Sequence, residues 1–77
     1  MKFYYTFGLR PQFPYYRGWV VVIADNRDEA DKKFRARFPD KNRDTLNCSE
    51  IYTEERFSKT IVAQGNHPEE FCHEVIE

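Results

Sequence analysis

The chain has 77 residues, a mass of 9.3 kDa, and seven Phe, five Tyr and one Trp, with a formal net charge of -1 at pH 7. That length suits one small domain and leaves no room for a separate catalytic or regulatory module. Charged residues at 32% beside 40% hydrophobic ones exclude a disordered composition, and the longest strongly apolar run, Trp19–Ala24, is far short of a membrane span.

Residues 2–9 alternate in character. Phe3, Tyr5, Phe7 and Leu9 fall on one side, and Lys2, Tyr4, Thr6 and Gly8 on the other, which predicts a half-buried strand. Residues 18–25, GWVVVIAD, are apolar without alternation and predict a central strand covered on most of both faces. Between them RPQFPYYR, residues 10–17, holds two prolines and no hydrophobic period. It reads as a long loop joining antiparallel neighbours.

Asn26 and Glu29 form an N-x-x-E capping box, with acid in the first turn and Arg35 and Arg37 near the end. Ala30, Phe34 and Phe38 recur every four residues, and Pro39 then stops the helix. Along it, Asp28–Lys32 and Asp31–Arg35 are the expected i,i+4 pairs. They make its basic residues a solvated face rather than a phosphate-binding patch.

Residues 39–47 read as loop, and Cys48–Tyr52 as a short strand. Thr53 caps a second helix over residues 53–64, with a strand at Thr60–Ala63 as the competing reading. Residues 67–77 suit either a helix or a strand, and the need for more sheet favours the strand. The expected architecture is a small two-layer α+β domain, β-β-α-β-α-β, with an antiparallel or mixed sheet and helices on one face. The opposite face, bearing Tyr4 and Tyr52, is expected to stay partly exposed, and a homodimer burying it fits so thin a core.

The small net charge conceals a split. Residues 1–43 carry ten Lys or Arg against five Asp or Glu, and residues 44–77 carry two against eight. The acidic half could imitate a nucleic-acid backbone, or it simply solvates the surface.

The most unusual stretch places Phe13, Tyr15, Tyr16 and Trp19 among Arg10 and Arg17. Tyr, Trp and Arg dominate protein-interface hot spots, and aromatic rings with arginines also suit stacked bases and phosphates. The third reading folds these rings back to cap a small core. These six residues are the candidate partner- or ligand-binding set.

Cys48, His67, Cys72 and His73 lack any C-x-x-C or H-x-x-x-H pair, so no metal site is expected. No glycine-rich phosphate loop and no oriented Cys–His nucleophile can be picked out. The chain therefore reads as a non-enzyme without a cofactor. MKFYYTFGLR does not read as a signal peptide, and two cysteines are too few for a disulfide scaffold. A cytoplasmic protein with reduced thiols is expected.

Four strings, FYYTFGL, VVVIADNRDEADKKF, EIYTEERF and CHEVI, resemble a loose class of small proteins carried by bacteriophages and prophages. The resemblance implies a counter-defence factor. Such a protein inhibits a host immune complex through a protein–protein surface, or sequesters its nucleotide signal. It carries no functional residue over.

Overall fold

The computed structural model describes residues 1–41, 45–59 and 72–77. In chain order it contains β1 (Lys2–Thr6), β2 (Trp19–Ile23), α1 (Arg27–Arg37), β3 (Glu50–Thr53), α2 (Glu54–Ser58) and β4 (Cys72–Ile76). The strands form one mixed sheet in the order β3-β1-β2-β4. β1 is antiparallel to both β2 and β3, and β4 lies parallel to β2. The fold is α+β, with the element order expected from the sequence. The C-terminal segment is a strand over Cys72–Ile76. The competing strand at Thr60–Ala63 and the later part of the expected second helix lie outside the described residues.

β2 occupies the centre because both of its faces are apolar. Trp19, Val20, Val21 and Val22 are all buried. The pleat sends Val20 and Val22 to one face and Trp19 and Val21 to the other. The first face joins Phe3, Tyr5 and Phe7 of β1 and its continuation to Ala30 and Phe34 of α1 and to Phe38, the residue that caps it. The second face joins Trp19 and Val21 to Phe57 of α2, with Tyr4, Tyr52 and Cys72 packed against them.

The two helices therefore cover opposite faces of the sheet rather than one. Period-two alternation sets which residues share a face, but in a strand apolar on both sides it does not say where each helix lies. Phe57 stacks flat on Tyr4 at 4.1 Å between ring centroids and meets Trp19 edge-on at 4.9 Å. Even so, Tyr4 and Tyr52 remain half-buried.

α1 begins where the cap chemistry requires. Asn26 is extended, and its Oδ1 accepts from the Glu29 N–H at 2.8 Å. Ala30 and Phe34 are buried, and the Phe38 N–H closes the last turn on the Phe34 carbonyl before Pro39. The salt bridges differ from those expected. Arg27 pairs with Asp31 at 2.8 Å, Lys33 with Glu29 at 3.3 Å, and Arg35 with Asp40 at 3.1 Å.

The reason is tertiary. The buried Tyr5 hydroxyl donates to Asp31 Oδ1 at 2.7 Å, fixing that carboxylate on the sheet side of the helix within reach of Arg27. Burial, reinforced by this bond, holds the Tyr5 phenol well above its ordinary pKa.

Thr53 caps α2 by accepting from the Arg56 N–H at 3.3 Å, and Lys59 ends the helix. The described helix spans Glu54–Ser58, and residues 60–64 of its expected extent lie outside the described residues.

Packing predicts an ordered mutational series in urea denaturation. Phe34→Ala empties a site with no solvent exposure and should cost roughly 3–5 kcal/mol, enough to unfold most of a domain this small. Asn26→Ala should cost about 1 kcal/mol through the lost cap. Val75→Ala, at an exposed position, should stay within about 0.5 kcal/mol.

Candidate functional site

The β1–β2 connection is built by local backbone chemistry first. The strand ladder continues past β1, with the Phe7 N–H bonded to the Gly18 carbonyl and the Arg17 N–H to the Gly8 carbonyl. Gly8 and Gly18 take positive φ of 63° and 75°, where glycine carries no penalty. Arg17 does the same at 66°, which costs an L-residue roughly 1–2 kcal/mol.

The inner side of the loop is then tied down. Phe13 and Tyr15 are half-buried against the first core cluster. Tyr15 packs edge-on to Phe38 at 6.0 Å and tilted to Phe7 at 5.6 Å. Its other contact is His73, stacked nearly parallel at 4.2 Å. The Tyr15 hydroxyl donates to Glu74 Oε2 at 3.3 Å, while Arg37 Nε donates to Glu74 Oε1 at 2.8 Å and its guanidinium lies over Phe38. Lys41 donates to the Gln12 carbonyl from the outside.

His73 and Glu74 are adjacent in a strand, yet both reach this loop. The β2–β4 register explains it: Trp19 pairs with Cys72 and Val20 with Glu74, leaving His73 as an extra residue in a bulge. A bulge re-aims side chains that strict alternation would send to opposite faces. Cys72 stays on the second face, and Ile76 returns to the first.

The six residues of the candidate set consequently part company. Trp19 is 2% exposed, in the cluster on the far face of the sheet, and takes no part in the loop surface. Phe13 and Tyr15 face the core. Arg10, Tyr16 and Arg17 are exposed, Tyr16 by 57%, and the Arg17 guanidinium lies 5.6 Å from the Tyr16 ring. Leu9, 63% exposed, belongs to the same connection. Among the described residues no carboxylate forms a salt bridge with Arg10 or Arg17.

His73, Glu74 and Arg37 were missed from sequence as neighbours of this loop. The adjacency of His73 and Glu74 was visible, but nothing local signals a bulge in a parallel pair.

A separate open groove of about 320 Å³ lies beside β3, lined by Arg27, Leu46, Cys48, Glu50 and Ile51 among others. Arg27 is held by Asp31, and burial pushes the Cys48 thiol up to about 12, so it is not an activated nucleophile. Among the described residues no group of three or more His, Cys, Asp or Glu is placed to hold a metal ion. Cys48 packs against the first cluster and Cys72 against the second, while His67 lies outside the described residues.

Cys48 also sets an alkaline limit. Its folded thiol keeps its proton above the ordinary value of 9, so the unfolded chain releases that proton first. The stabilisation is complete below pH 9 and is lost as pH rises toward about 12, and Tyr5 acts in the same direction. Urea midpoints measured from pH 8 to 11 should fall, and Cys48→Ala should flatten the early part of that fall.

Comparison of the chain with protein-family models, curated proteins and solved structures finds no match in any of the three. Among the described residues no helix is long and apolar enough to cross a membrane. Among the described residues the geometry thus offers a surface of distinctive chemistry: a loop fixed on its inner side, with Tyr16 and two arginines on its outer side.

Proposed function

We propose that the chain is a non-catalytic binding module that engages a partner protein through the outer side of the β1–β2 loop. The observation that carries this reading is the exposed Tyr16 beside Arg17, on a loop whose inner side is anchored by Phe13 and Tyr15. Tyr and Arg are the side chains most often found at interface hot spots, and a loop already fixed in shape loses little entropy on binding. Leu9 adds apolar area, and Arg10 adds a second cation without an ion pair among the described residues.

The resemblance of four sequence strings to small phage and prophage proteins supplies the setting for this proposal. The partner would be a host complex in the host cytoplasm, and binding would inhibit it. A nucleotide ligand has less support. Base stacking needs open ring faces, whereas Tyr15 lies flat on His73 and Trp19 is buried.

The anchoring changes which substitutions isolate binding from folding. Phe13→Ala and Tyr15→Ala remove core packing and should lower stability, so they do not report on a surface. Tyr16→Ala and Arg10→Ala should leave the unfolding midpoint within a few degrees of the parent. The tagged chain is expressed in a bacterial host and its co-purifying proteins are compared with those of the two variants. Loss of a specific protein by at least tenfold in Tyr16→Ala is the expected result. Equal recovery by parent and variants overturns the site, and heat released in calorimetry with cyclic or linear nucleotides moves the reading to a nucleotide ligand.

A further inference from the structure

We infer that His73 and Glu74 form a clasp by which the C-terminal strand sets the shape of the β1–β2 loop. Two positions in the loop need such a device. Arg17 sits at φ 66°, a conformation that an L-residue abandons unless its neighbours hold it. Tyr15 belongs to a connection whose ends are pinned by Gly8 and Gly18 but whose middle has no ladder partner among the described residues.

The clasp meets both needs from one strand. The His73 Nε2–H donates to the Arg17 carbonyl at 2.7 Å. The Arg17 N–H is already bonded to the Gly8 carbonyl, so both of its backbone groups are engaged. The same imidazole stacks on Tyr15 at 4.2 Å with an interplanar angle of 5°, and Glu74 receives the Tyr15 hydroxyl. Arg37 holds Glu74 in place from α1, so β4 directly, and α1 through Glu74, fix Tyr15.

The register shift is the second, independent sign of this role. Regular pairing of β4 with β2 would turn His73 and Glu74 to opposite faces, and only one could reach the loop. The bulge between the Trp19 and Val20 pairs turns both toward it, at the cost of an interrupted ladder. His73 is thus a positioning residue, acting on Tyr16 and Arg17 through the backbone that carries them. The consequence for partner binding rests on the role proposed above; the clasp itself does not.

Hydrogen exchange at the Arg17 amide tests the clasp without any partner. In His73→Ala, protection at Arg17 should fall about fivefold or more, the loss expected for one hydrogen bond and a ring stack. Protection at Ala24, whose N–H is bonded to the Met1 carbonyl at the other end of the ladder, should change less than twofold. His73→Phe keeps a ring against Tyr15 without the donor and should give an intermediate loss at Arg17. The inference is overturned if both variants leave Arg17 within twofold of the parent, or if Ala24 loses as much as Arg17 in both. Selective loosening at Arg17 with undiminished co-purification of a partner leaves the clasp standing and overturns the binding role of the loop.

Discussion

A central strand that is apolar on both faces, in a chain of only 77 residues, is the constraint from which the rest of this structure follows. Burying Val20 and Val22 demands a cover on one side of the sheet, and burying Trp19 and Val21 demands another on the other side. One helix of eleven residues supplies the first cover and cannot supply the second. The short α2 does so with a single ring, Phe57, laid across Tyr4 and Trp19. Aromatic side chains make this economy workable, because each removes roughly 150–250 Å² from water.

The same shortage of material explains why a proline-bearing loop is folded inward. The first face runs past the end of α1 at Phe7 and Phe38, and the helix has stopped there at Pro39. Phe13 and Tyr15 close that end of the core. Their use as packing leaves the outer side of the loop to Tyr16 and the two arginines. Core filling and surface display are thus divided between adjacent residues: Tyr15 turns in and Tyr16 turns out.

Local signals in the sequence carried most of the elements. Alternation in β1, the Asn26 cap, the four-residue stripe of α1 and the Thr53 cap all depend on neighbours within a turn or a strand, and all stand in the structure. What could not be read depends on partners far along the chain. Asp31 looked like the mate of Arg35, but Tyr5, 26 residues earlier, decides its position. Trp19 looked like part of the loop because it follows it directly, whereas the pleat places it on the opposite face with Phe57. The His73 bulge arises from pairing with β2 and has no local signature.

The charge split along the chain takes on a different meaning once the strands are paired. The basic and acidic halves are not separate lobes, since β4 lies beside β2 and Glu74 bonds Arg37 across the two halves. Several helix cations are likewise consumed, Arg27 by Asp31, Lys33 by Glu29 and Arg35 by Asp40. Exposed pairs of this kind add little stability individually, but they reduce the positive field that α1 presents. Arg10 and Arg17 escape this neutralisation among the described residues, and they flank the loop that also exposes Tyr16. Pairing within the fold thus offsets the charge of every α1 cation but Lys32, and among the described residues it leaves Arg10 and Arg17 unpaired beside Tyr16.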